Sequence, residues 1–201
     1  MKGITKITLF ALGLVVLAVT GSIPGFRPLV ELQAVAEAAT DNVLNFDVAC
    51  DCRTFAFPGG TDRGTVFIVN GKMFPVGTLP SGTASNDPIL PVRGIASVGD
   101  WICRGQAALP FPTAVASAYT QIPPFFNTQY YIFNDGRALT GEGYDLPVTF
   151  TGILALTGGI GGFSGASGGL VGEVIGTNIT QCPNLRFKVN FQPGSMRGRS
   201  D

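Results

Sequence analysis

The segment from Phe150 to Gly176 constrains the fold more than any other. Leu154 and Leu156 alternate with Ala155 and Thr157, and a second apolar run with Val171 follows before Gly172 and Glu173. A two-residue period is the mark of a strand. Between the runs stand Gly158, Gly159, Gly161, Gly162, Gly165, Gly168 and Gly169. In a helix interior each would cost about 1 kcal/mol, whereas glycine suits a sharply bent sheet, where backbones approach closely. The stretch predicts two strands joined by a glycine-rich corner.

The chain before and after it gives the same kind of signal. Val43 to Val48 alternates and leads into Cys50-Asp-Cys52. Thr65 to Val69 is strand-like and ends in Asn70-Gly71, a hairpin turn signal, so Lys72 to Val76 is expected to return as a separate strand. Leu79 to Pro91 reads as a loop. Trp101 to Leu109 is a strand candidate, and Pro110 to Pro124 an irregular connection with a short helical turn at Ala114 to Ala118. Thr128 to Phe133 leads into Asn134-Asp-Gly136, a second hairpin signal, with Ala138 to Tyr144 returning. From Leu185 to Phe191, Leu185, Phe187, Val189 and Phe191 face one way, and Arg186, Lys188 and Asn190 the other. About eight short strands without helical periodicity mean an all-β sandwich or barrel. The barrel is preferred, because closure removes exposed edges and glycines let strands coil.

The N-terminus is of another kind. Lys2 and Lys6 precede an apolar run from Ile7 to Val19, and small residues follow at Ala34, Ala36 and Ala38. This reads as an export leader over 1–39, followed by a barrel domain over 40–192 and a flexible tail over 193–201 that contains Arg197 and Arg199. The expected location is secreted, periplasmic or extracellular, with membrane contact only through an uncleaved leader. Basic and acidic residues number 13 each, without the basic stripe that nucleic acid would need. Histidine is absent, which removes Ser-His-Asp and Cys-His nucleophile systems, histidine general bases and histidine-bearing zinc sites.

Cys50, Cys52, Cys103 and Cys182 in an exported chain suggest two disulfides or fewer. Cys50 and Cys52 are too close in sequence to bond each other readily, so one of them is expected to pair with Cys103 or Cys182. A metal site is the weaker reading of the same four residues, and none is expected.

At the glycine-rich corner, Thr157-Gly-Gly-Ile-Gly-Gly-Phe-Ser-Gly-Ala-Ser-Gly resembles the T-G-G-T-G segment of the dirigent and allene oxide cyclase-like barrel superfamily. Trp101-Ile-Cys-Arg-Gly, Thr128-Gln-Tyr-Tyr-Ile-Phe and Ile175-Gly-Thr-Asn-Ile-Thr-Gln-Cys-Pro-Asn-Leu-Arg-Phe187 resemble strands of its bacterial members, in the same order. The likeness runs from about Asp100 to Phe191 and is looser from Asn42 to Val98. It implies an eight-stranded antiparallel barrel with an apolar pocket. Plant relatives steer the coupling of phenoxy radicals or cyclise an unsaturated epoxide, without a cofactor, by positioning and water exclusion. Ser167 stands where plant dirigent proteins usually carry arginine, and Ser164 replaces a common arginine or lysine.

Candidate acid–base residues are Glu142, Tyr144 and Asp145, grouped beside the Asn134-Asp-Gly136 turn, and Glu173 and Arg104 inside strands, each with solvated surface as the plainer reading. Tyr130 and Tyr131 point to opposite faces. They and Trp101 are the candidate pocket residues. Gly159-Ile-Gly161 is read as a barrel corner rather than a phosphate-binding turn. Asn178-Ile-Thr180 matches a glycosylation acceptor. Pro123-Pro-Phe-Phe126 reads as core packing, with a lid over the mouth or a subunit contact as alternatives. Two functions follow: a cofactor-free barrel that binds a small apolar molecule and guides its coupling or cyclisation, or a non-catalytic secreted structural or interaction protein on the same fold. A homo-oligomer fits either.

Overall fold

The computed structural model describes residues 42–56, 63–108, 124–146 and 151–195. Nearly all of them lie in strands or the turns between: β1 (Val43–Ala56), β2 (Val66–Pro75), β3 (Gly82–Thr83), β4 (Gly99–Ala107), β5 (Phe125–Phe133), β6 (Ala138–Leu146), β7 (Thr151–Ile160), β8 (Gly168–Thr177) and β9 (Pro183–Phe191). The sheet runs β3-β8-β7-β6-β5-β4-β2-β1-β9, and β9 pairs back onto β8. The short β3 pairs parallel with β8. The other eight strands form a closed, antiparallel barrel, as expected. The leader, the helical turn at Ala114 to Ala118, and Arg197 and Arg199 lie outside the described residues.

Alternation decides which side chains fill the barrel. On β9, Leu185, Phe187, Val189 and Phe191 are buried while Lys188 and Asn190 are exposed. Phe46 from β1 stands at the centre, with ring centroids 5.2 Å from Tyr131, 6.0 Å from Phe133 and 5.6 Å from Phe187. Each such pair adds about 0.5–1.5 kcal/mol beyond its area burial. The glycine-rich corner is as predicted, two strands joined through a single turn of 3-10 helix at Gly161–Phe163. Its Phe163 tucks into the barrel end, 5.5 Å from Phe133 and 5.8 Å from Phe191.

Asn70-Gly71 is not a hairpin. β2 passes straight through it, and Gly71 pairs with Cys50 on one side and Trp101 on the other. A side chain at Gly71 would collide with the backbone of Ala49 and Cys50, so this glycine serves close strand approach rather than a turn. Asn134-Asp-Gly136 does turn, with Gly136 at φ 86°, and Phe133 N–H donates to the Arg137 carbonyl at 2.9 Å.

The loop between β2 and β4 lies over the outer face of the barrel. Leu79 and Val92 pack there on Ala49 and Phe74 in a second apolar cluster. Asp47, fully buried beneath the loop, accepts hydrogen bonds from Gly77 N–H at 2.8 Å and from Arg186 Nε at 2.9 Å. A buried carboxylate needs such partners. Among the described residues no helix is long and apolar enough to cross a membrane.

Candidate functional site

Inside the barrel one face of β5 carries Phe125, Asn127, Gln129, Tyr131 and Phe133, all buried. The two amides interrupt an otherwise apolar wall and anchor a chain of polar contacts. Gln129 Oε1 accepts from Tyr131 O–H at 2.6 Å and from Trp101 Nε1 at 2.9 Å. Its Nε2 faces Asp145 Oδ2 at 3.3 Å and Asn127 Oδ1 at 3.5 Å. Asp145, at the end of β6, is 7% exposed and Asn127 6%. Among the described residues, Asp145 Oδ1 and Asn127 Nδ2 have no hydrogen-bond partner. An orphaned buried acceptor beside an orphaned buried donor is rare in folded proteins and calls for an explanation.

Burial pushes the Asp145 carboxyl up to about 7, since the charged form loses its hydration, and the neighbouring Asn127 amide works the other way. Burial also raises the Tyr131 phenol and the Cys50 and Cys103 thiols well above their ordinary values, and the nearby Asp145 charge adds to each shift. These three therefore stay neutral, and Asp145 alone among them titrates near neutrality. It is able to hold a proton or release one inside an apolar chamber, as a general acid or base must.

The sequence candidates divide by face. Trp101, Tyr131 and Asp145 point inward and share the Gln129 network. Asp145 is not a solvated loop residue. Nor does it lie beside the Asn134–Gly136 turn: it pairs with Phe125 at the opposite end of β5. Glu142 and Tyr144, in the other phase of β6, face outward, as do Tyr130, Arg104 and Glu173. Tyr130 is thus not an interior pocket residue. Its outward position, like that of Arg104, follows from alternation with Tyr131 and Cys103. Asn127 and Gln129 belong to the site though no motif points to them; each is in phase with Tyr131.

Of the four cysteines, Cys52 and Cys182 form a disulfide across 130 positions. The bridge joins one of Cys50 and Cys52 to Cys182, within the two or fewer expected, and Cys50 and Cys103 are buried free thiols that do not join it. Among the described residues no group of histidine, cysteine or carboxylate side chains is arranged to hold a metal. Asn178 does not present a glycosylation site in the folded protein. Its side chain is buried, donating to the Cys50 carbonyl at 2.8 Å and accepting from Thr180 Oγ1 at 2.7 Å. Gly159 and Gly161 flank the corner, as read.

The class these features define is a closed antiparallel barrel with a near-neutral carboxyl in an apolar interior. No protein-family model matches the sequence, and no curated protein matches it. Among solved structures the chain is similar to pyocyanin demethylase, at 14% identity over 75% of this chain and 99% of that one, with a TM-score of 0.47. It is similar to the pterocarpan synthase dirigent protein GePTS1, at 14% identity over 73% and 81%, with a TM-score of 0.45. It is also similar to the Diels Alderase AbmU from Streptomyces koyangensis, at 14% identity over 90% and 87%, with a TM-score of 0.41. At this level of identity the likeness is one of fold alone. The barrel assignment rests on this chain's own closed ladder of strands.

Proposed function

We propose that the protein is an exported, cofactor-free barrel that binds a small apolar molecule at its Asp145 end and steers its coupling or cyclisation. One observation carries this reading: a carboxyl at about 7 beside an amide donor that is unpaired among the described residues, in a greasy interior. A ligand that brings one acceptor and one donor would satisfy both atoms, and its apolar remainder would displace water. Asp145 then moves a proton while the barrel wall fixes the ligand's conformation. The disulfide fits an oxidising compartment.

The test uses 1-naphthol as a neutral probe, with the side-chain amide signals of Asn127 and Gln129 followed by NMR. Saturable shifts of both, with affinity about tenfold weaker in Asp145→Asn, are expected, since a hydrogen bond to a charged or acidic group is worth about 1.5–3 kcal/mol. Shifts confined to outward residues would defeat the reading. A non-catalytic interaction protein is the second reading. It is favoured by how fully rings occupy the interior: Phe67 fills the space at Gly105 and Phe187 that at Gly172. In that case Asp145→Asn changes stability alone.

A further inference from the structure

The outer wall of β2, β4, β5, β6 and β7 is hollowed rather than convex, with a groove of about 930 Å³. Phe126 is 61% exposed and Ile153 67%. Exposed apolar surface of this kind, rimmed by polar groups, marks an interaction site.

The strand registers give this wall an internal symmetry about β5. One row across the sheet reads Val66, Gln106, Phe126, Tyr144, Ile153. The next reads Ile68, Arg104, Thr128, Glu142, Ala155. Each row is apolar at both ends. In the second, a cation and an anion stand one strand to either side of Thr128, and neither Arg104 nor Glu142 forms an ion pair among the described residues. Neighbouring strands are about 4.8 Å apart, so the two charges are separated by roughly twice that distance along the row.

We propose that this wall is a twofold interface between two copies of the chain, with the axis running along β5. Such an axis exchanges β4 with β6 and β2 with β7. Arg104 of one copy then meets Glu142 of the other, twice over. Val66 meets Ile153, Ile68 meets Ala155, and Phe126 and Thr128 each meet their own counterpart. Self-complementarity of this kind is what an isologous contact requires. An unrelated partner would not need the charges to be balanced about one strand. The interface is independent of what the interior binds.

Analytical ultracentrifugation of the purified protein, with its native disulfide intact, reads the association state. A dimer is expected for the wild type. Glu142→Arg, which sets like charges against each other, weakens it by about tenfold or more. The exchange Arg104→Glu with Glu142→Arg restores it. Thr128→Cys, on the axis, crosslinks two chains under mild oxidation, whereas Ala155→Cys, two strands away, does not. The crosslinking pair answers the question even if a charge variant fails to fold. A monomer at every accessible concentration, a trimer, a dimer indifferent to Glu142→Arg, or an exchange that does not rescue overturns the proposal.

Discussion

At the end of the barrel where β5 turns into β6, Phe133, Phe163 and Phe191 meet ring to ring. The Arg137 guanidinium lies over Phe163 at 4.8 Å and pairs with Asp135 at 2.6 Å. Arg137 and Asp135 are paired there, and the three rings are buried. At the other end the same inward positions hold Asn127, Gln129 and Asp145, two of whose buried atoms have no hydrogen-bond partner among the described residues. The backbone pattern is the same at both ends. What differs is whether polar groups are left over, and a leftover buried polar atom is destabilising by about 1–3 kcal/mol unless something arrives to pair with it. One end is built for stability and the other carries an unmet requirement.

Four variants would break or sharpen that contrast. The largest effect is expected from Cys52→Ser with Cys182→Ser, which frees a loop of 130 positions at the carboxyl end. In the chain-entropy view this lowers stability by about 4–5 kcal/mol, read by chemical denaturation. Phe163→Ala opens the aromatic end and is expected to lose about 4 kcal/mol by the same measurement at any pH.

Asp145→Asn should do the opposite, increasingly as pH rises from about 4 to about 7. The folded protein holds the Asp145 proton up to about 7, while the unfolded chain releases it near 4. Folding therefore takes up a proton between these values, and the wild type loses stability as pH rises through that window. By linkage the loss is at most about 4 kcal/mol at pH 8 and absent at pH 4. The variant should show no such fall, so the two denaturation curves meet in acid and separate in base. A wild type whose stability is flat from pH 4 to 8 would contradict the buried carboxyl. Gly152→Ala is the mildest change. The new methyl would strike Asp145 Oδ1, costing about 1–3 kcal/mol as overpacking. It should also shift the pH window by moving the carboxyl, which a thermal melt at two pH values would detect.

Much of this contrast is written in the sequence, unevenly. The aromatic end is legible because Phe133, Val189 and Phe191 announce their phase by alternating with polar residues. The glycine-rich corner is legible because no other element tolerates so many glycines. The carboxyl end is not, for a physical reason. The inward phase of β6 is Leu139, Gly141, Gly143, Asp145, so glycines stand where apolar markers would have shown that Asp145 points in. Asn127 and Gln129 share their phase with Tyr131 and could have been placed by counting in twos. Asn70-Gly71 misled because the dipeptide that favours a tight turn also permits a strand to pass close to its neighbour. Which cysteines pair depends on how β1 meets the turn after β8, a contact between distant parts of the chain.

The bridge between Cys52 and Cys182 has one further effect. It ties the first strand to the turn ahead of the last, so nearly every loop of the molecule falls between its two ends. A protease that cuts the polypeptide once anywhere in that span leaves fragments that still travel together. They separate only in the presence of a reductant, so damage to this protein would go unseen on a gel run without one.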